Sequence, residues 1–280
     1  MPRKSGRRRI AEIIGGLGGK SSNGEVLVRP VKGRSGPAAA PDLLMCMTGP
    51  LLDLAVSKAG AREIRVNDFG LYRMYETKDA PDSRARLTVA GPFLGAPQAV
   101  ICLEKMIASG ASRVWAIGWC GSLQEDLRVG DLVLPLSAVS EEGTSRHYPL
   151  PGRAVEADPS LVESVRNCLD RRGLRADTGR VWTTDAPYRE TRAKVERLKE
   201  QGVLAVDMEF SALLKVAAFR GVKLASLMVV SDELFTGEWR PGFSSRRLKD
   251  SSRLLLEVAL EAASGFHSHQ AQTRKEYLYE

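Results

Sequence analysis

The sequence predicts an α/β fold with a largely central sheet, and three observations carry that prediction. From about residue 42, short β-branched or apolar runs alternate with segments of helical spacing, the pattern of strands and helices taken in turn. Several runs, residues 224–230 among them, are too apolar to face water, so their strands belong inside a layered structure. The 280 residues, 43% of them hydrophobic, suffice for the core of one large domain without a second.

Taken in order, the strands expected on this pattern cover residues 43–47, 62–66, 86–90, 113–117, 131–139, 179–182, 203–206 and 224–230. Two helices are well punctuated. Pro97 opens one in which Val100, Ile101, Leu103, Glu104, Met106 and Ile107 alternate faces at helical spacing, and Gly110 closes it. Asp158-Pro159 supplies an N-cap and a first-turn proline for a helix running through Leu169 and ending before Gly173. Further helices are expected over residues 189–201, 208–220 and 246–263, and no internal repeat is visible.

Composition narrows the function classes. No apolar run approaches the roughly 18 to 20 residues needed to span a bilayer, and the opening residues lack the apolar core of a signal peptide, so a cytoplasmic protein is expected. Cys46, Cys102, Cys120 and Cys168 are scattered, with no metal-ligand spacing, and read as structural thiols in a reducing compartment. The pair His267 and His269 lies in a polar stretch and is a poor metal site, so no metal is expected. The net charge of +7 sits entirely in residues 1–37, which hold nine basic and two acidic residues. A flexible, Gly/Ser-rich basic arm accounts for it, with any nucleic-acid contact non-specific. The expected organisation is therefore an arm over 1–37, a domain over 38–265 and a polar C-terminal tail over 266–280.

The chemistry concentrates in a few segments. Val206-Asp207-Met208-Glu209-Phe210-Ser211-Ala212 places carboxylates at a helix start, and Ser231-Asp232 follows the apolar run 224–230, where a ligand can be gripped from two sides. The stretch Ile117-Gly118-Trp119-Cys120-Gly121-Ser122 is expected to leave its strand as a loop, its glycines letting backbone N–H groups approach a ligand. Thr183-Thr184-Asp185-Ala186-Pro187-Tyr188 puts hydroxyls, a carboxylate and an aromatic ring in one turn.

The Val-Asp-Met-Glu run, with Ser-Asp after the next strand, resembles the nucleoside phosphorylase/nucleosidase family, and the likeness covers most of residues 86–263. The resemblance implies a single-domain, three-layer α/β fold with a central mixed, partly barrel-like sheet flanked by helices. It also implies cleavage of the N-glycosidic bond of a nucleoside, by default to free base and ribose 1-phosphate, in a homo-oligomer (dimer or hexamer). No metal or organic cofactor is implied, with inorganic phosphate as a co-substrate.

Carried over residue by residue, the resemblance gives Glu209 the ribose hydroxyls and Met208 the face of the sugar. A carboxylate offers acceptors for two adjacent donors. The plain alternative for Glu209 is a complement to the helix dipole, worth ~0.3–1 kcal/mol. Asp232 takes the position that contacts a purine near N7 and assists its departure, against the alternative of a strand-terminal cap. Arg246 or Arg247 falls where an arginine assists that aspartate, and Arg247 is the residue chosen here. Thr184, Asp185 and Tyr188 take base-binding positions, Tyr188 equally readable as a packed turn tyrosine. Gly118, Trp119, Cys120 and Gly121 form the phosphate or nucleophile pocket. His147, in a segment like one in uridine phosphorylase-type members, is a further pocket candidate.

The sequence departs from the family where phosphate is held. The Gly-Asp-Pro-x-Arg segment is not visible around Met47-Thr48-Gly49-Pro50-Leu51, a second arginine aligns with Asn67, and a strand-end Arg-Ile-Gly-Thr reads Ala116-Ile117-Gly118-Trp119. A bidentate cation becomes a methyl group and a hydroxyl becomes an indole. Arg73, Arg146 or an arginine of another subunit are the available replacements. Two alternatives to phosphorolysis therefore stand: hydrolysis, with Trp119 filling the phosphate volume, and a family member that binds a nucleoside without turning it over. The glutamate with which nucleosidases activate water is not evident either.

Overall fold

The computed structural model describes residues 26–31, 39–64, 71–77, 86–150 and 155–276, with side chains placed to residue 265. Asn67, most of the basic arm and the side chains of His267 and His269 lie outside the described residues. The fold is α/β, built on a mixed ten-stranded sheet flanked by helices.

The first part of the sheet is laid down by β1 (Asp42–Cys46), β2 (Arg62–Ile64), β3 (Arg73–Glu76) and β4 (Leu87–Gly91), with α1 (Gly49–Ala59) between β1 and β2. β1 pairs in parallel with β4 and with β5 (Arg113–Ser122), and α2 (Ala96–Ser109) makes the crossover. The remaining strands are β6 (Leu132–Ser140), β7 (Ala176–Thr183), β8 (Ala205–Asp207), β9 (Lys223–Glu233) and the short β10 (Arg240–Pro241). Because β9 pairs with both β5 and β6, the strands β5, β9, β6, β7 and β8 close into a five-stranded barrel. Helices α3 (Pro159–Arg171), α4 (Arg192–Glu200), α5 (Phe210–Arg220) and α6 (Arg246–Glu276) complete the described chain.

β1 and β4 are buried along their whole length, which explains why their sequences carry no polar alternation. Asp42 starts β1 inside the protein, and its charge is met by a bidentate Arg113 at 2.6 and 2.7 Å and by the Trp115 indole N–H at 3.1 Å. A second bidentate pair, Arg220 with Glu104 at 2.8 Å, ties the end of α5 to α2 and fixes the two helices side by side.

Four expectations need correction. β5 does not end at residue 117: it runs through Ser122, so the glycine-containing segment expected as a loop is strand. Its glycines serve close approach, since a Cβ at Gly118 would lie 3.1 Å from Met47 Cγ and one at Gly121 only 2.5 Å from Leu234 Cδ1. β9 likewise continues through Ser231-Asp232 to Glu233, because its partner β5 continues beside it. The helix expected to end at Ala263 extends to Glu276. α1 is not among the expected elements; Pro50 stands in its first turn, where a helix tolerates proline.

Candidate active site

The starts of two helices meet at the mouth of the barrel. α5 begins at Phe210, immediately after β8, and Asp207 at the strand end caps it: Oδ2 accepts from the backbone N–H of Phe210 at 2.7 Å and of Glu209 at 3.2 Å. Oδ1 accepts from the Thr183 hydroxyl at 2.6 Å. With its backbone held this way, Glu209 turns its carboxylate towards the start of α2 and accepts the Gly95 N–H at 2.6 Å. Both helix N-termini thus favour negative charge at this spot.

Glu209 is buried, and burial first, then the Asp207 charge, raises its pKa above the ordinary carboxylate range. Asp207 is raised as well, by burial, although its hydrogen bonds offset part of the effect. Behind them Glu142 accepts from Ser140, Ser145 and Ser211 at 2.8–2.9 Å. Burial pushes Glu142 up, but these donors outweigh it and hold the carboxyl below the usual range.

Glu209 and Asp207 line a cavity of about 950 Å³, large enough for a small organic ligand. Met208, Trp119, Cys120, Gly121, Tyr188 and Asp232 line it too. A bulge in the β5–β9 pairing sets Asp232: Cys120 faces Val230 and Gly121 faces Asp232, leaving Ser231 as the extra residue. Asp232 accepts from the Ser231 hydroxyl at 2.6 Å and from the Trp239 indole N–H at 2.9 Å. Tyr188 stands 97% exposed on the 3-10 turn Pro187–Arg189. Cys120 offers no nucleophile, because burial and the charges of Asp232 and Asp207 push its thiol well above the ordinary value.

Other candidates fall elsewhere. Thr184 is buried behind the lining, its N–H donating to the Asp207 carbonyl at 3.0 Å. Asp185 is exposed and accepts the Gly143 N–H at 2.8 Å, tying two loops together. Gly118 packs on Met47, outside the main lining. Arg247 does not reach Asp232: its guanidinium pairs with Asp131 on the far side of Gly130, while Arg246 lies beside Asp250 at 3.4 Å. Neither arginine lines the cavity, and nor does His147, which is exposed on the 3-10 turn Thr144–His147. Arg73 is committed to Asp53 at 3.0 Å.

Residues that sequence reasoning missed complete the lining. Trp119 stacks on Phe243 with ring centroids 6.0 Å apart, and Phe243 meets Trp239 at 6.2 Å, so an aromatic surface lies beside Asp232. The available signal was Phe235, Trp239 and Phe243 recurring every fourth residue in a segment that Gly237, Pro241 and Gly242 keep from being a helix. Thr48 and Gly49 bring the start of α1 to the cavity, and the Thr48 hydroxyl has no hydrogen-bond partner among the described residues. Glu190 adds a fourth carboxyl to those of Asp207, Glu209 and Asp232. Among the described lining residues there is no arginine, lysine or histidine. No group of residues suited to a metal ion occurs among the described residues. No described helix is long and apolar enough to cross a membrane.

The chain has relatives among known proteins. Residues 43–260 match the Phosphorylase superfamily. DeoD-type purine nucleoside phosphorylases of Bacillus cereus and Bacillus thuringiensis are 33% identical over 180 residues, which is 64% of this chain and 75% of theirs. In fold, the chain is similar to the crystal structure of a Toxoplasma gondii purine nucleoside phosphorylase in complex with immucillin-H. The TM-score there is 0.73 at 20% identity, covering 83% of this chain and 93% of that one. A uridine phosphorylase of Vibrio fischeri gives a TM-score of 0.71 at 22% identity, covering 85% and 98%.

Proposed function

We propose that this chain, which belongs to the phosphorylase superfamily, cleaves the N-glycosidic bond of a nucleoside. The observation that carries the reading is Glu209, held by Gly95 N–H at the meeting of two helix starts, in one cavity with Met208 and Asp232. Glu209 accepts from the ribose 2′- and 3′-hydroxyls, and its fixed backbone orients the sugar before reaction. Met208 packs on the sugar, and the base lies by Tyr188 with the neighbouring carboxyl groups assisting its departure. As the bond lengthens, positive charge builds on the sugar, and the ionised carboxylates of a cavity with no described cationic side chain favour that charge over neutral ground states.

Transfer to inorganic phosphate is the reading that kinship with purine nucleoside phosphorylases supports. The start of α1 brings Thr48 and Gly49 to the cavity, and a helix start suits an anion, which also supports it. Hydrolysis is the second reading, favoured by the lack of a cationic side chain among the described lining residues and by Trp119 in place of a small hydroxyl residue. The deciding experiment follows free base released from a panel of purine and pyrimidine nucleosides, with and without phosphate, and identifies the sugar product. Ribose 1-phosphate establishes phosphorolysis, and phosphate-independent free ribose establishes hydrolysis. Binding of nucleosides with no base released under either condition overturns the catalytic reading.

A further inference from the structure

Of the four carboxyl groups in the cavity, Glu190 is the one that no described residue satisfies. Glu209 has Gly95, Asp207 has Thr183 and two backbone amides, and Asp232 has Ser231 and Trp239. Among the described residues the Glu190 side chain has neither a hydrogen bond nor an ion pair. Its place is nonetheless fixed: it closes the 3-10 turn that carries Tyr188, with its N–H on the Pro187 carbonyl at 3.1 Å. Two charged groups bear on it from the elements packed around it, Asp232 on β9 and Lys194 on α4. Lys194 is already engaged with Glu141 at 2.7 Å and with the face of Trp182. Burial, and then the Asp232 charge, push Glu190 up to about 7, with Lys194 offsetting part of the effect.

Glu190 and Asp232 both line the one cavity, and burial together with the Asp232 charge disfavours the ionised form of Glu190. Asp232, already receiving two N–H or O–H donors, is built as an acceptor. Glu190, receiving none, is the member left to donate. We infer that Glu190 and Asp232 together read one edge of the base, a donor beside an acceptor, and so select 6-aminopurine nucleosides over 6-oxopurine ones. The inference rests on the nucleoside-cleaving reading above.

The match is one of hydrogen-bond pattern. An aminopurine presents an N7 acceptor beside the N6 amino donor, which answers the pair at both positions. A 6-oxopurine presents N7 and O6, two acceptors, so the Asp232 carboxylate would face an oxygen lone pair across a partly buried gap. Tyr188, 97% exposed beside Glu190, supplies an aromatic face for either base and does not discriminate.

The test compares kcat/KM for adenosine and inosine in the full-length protein and in Glu190→Gln and Glu190→Leu. The native protein should prefer adenosine by about tenfold or more. Gln keeps a donor and should keep most of the preference, whereas Leu should reduce it to within about threefold. The native preference should decline as pH rises above about 7 and Glu190 loses its proton, and the Gln variant should show no such decline. Equal use of the two nucleosides by the native protein, or a preference that survives in Glu190→Leu, overturns the inference while leaving nucleoside cleavage intact. Calorimetric binding of free adenine and hypoxanthine separates the two readings if nothing is turned over. A Glu190-dependent preference for adenine then supports the base reader and overturns cleavage, and equal or absent binding of both bases overturns the base reader itself.

Discussion

The part of the cavity built where α2 and α5 begin and the part built by β5 with the segment after β9 use different chemistry. The first is backbone N–H groups, a capping aspartate and a buried glutamate, all tied into hydrogen bonds of 2.6–3.2 Å. The second is aromatic: Trp119 stacked on Phe243, with Trp239 beside them, 61% exposed. Helix starts impose their own electrostatics, because unsatisfied N–H groups and the dipole call for an anionic partner whatever the substrate. An aromatic surface is set only by side chains and is free to change with the molecule it faces. The polar part contains the Val-Asp-Met-Glu run through which the sequence resembles the nucleoside phosphorylase family.

The sharpest way to break that contrast is Glu209→Gln. Gln keeps the bond to Gly95 but loses the charge that ribose hydroxyls require, and base release should fall by about 100-fold or more in kcat/KM. Activity equal to the native protein would remove the sugar-site assignment.

Proton linkage sharpens the same point. Glu209 must be ionised to accept both hydroxyls, and its pKa is raised by burial and Asp207. The acid limb of kcat/KM should therefore lie above the ordinary carboxylate range, rising about tenfold per pH unit, and should vanish in Glu209→Gln. Stability runs the other way. A carboxyl raised in the folded state contributes stability below its unfolded pKa and loses it as pH climbs through the folded value. Thermal melts should accordingly show Glu209→Gln gaining on the native protein as pH rises.

A smaller effect tests the junction between the two parts. Gly121→Ala places a methyl 2.5 Å from Leu234 Cδ1 and 3.0 Å from Asp232 Oδ2. It should cost about 1–3 kcal/mol of stability, measured by denaturant titration, and lower turnover roughly tenfold by displacing Asp232. Arg247→Ala should do least. Its partner is Asp131, outside the cavity, and an exposed ion pair contributes about 0–1 kcal/mol. Turnover within about threefold of native is expected, and a loss of 100-fold would return Arg247 to the catalytic machinery.

The sheet and most helices were legible because hydrophobic period and Gly/Pro punctuation are local properties. The helix capped by Asp158 has the N-terminal bonds its sequence announces, with Asp158 accepting from Ser160 and Leu161. Glu209 and Asp232 were legible through a short signature, and the structure brings them into one cavity. Arg247 was misplaced because its direction depends on Asp131, more than a hundred residues earlier, and on the absence of a Cβ at Gly130. Glu190 was passed over because a glutamate before a helix reads as a solvated charge, and only the approach of β9 puts Asp232 near it.

By itself the sequence determined the α/β order, the buried strands and the Val-Asp-Met-Glu run that starts α5. Each depends on side chains a few positions apart along one element. Tertiary structure alone decided that β9 closes a barrel by pairing with β5 and β6, that a bulge opposite Gly121 sets Asp232, and that the described cavity lining is rich in carboxyl groups and without a cationic side chain. Those features arise where residues far apart in the chain share one small volume. There the energy of each charge is set by burial and by its neighbours, which no local pattern encodes.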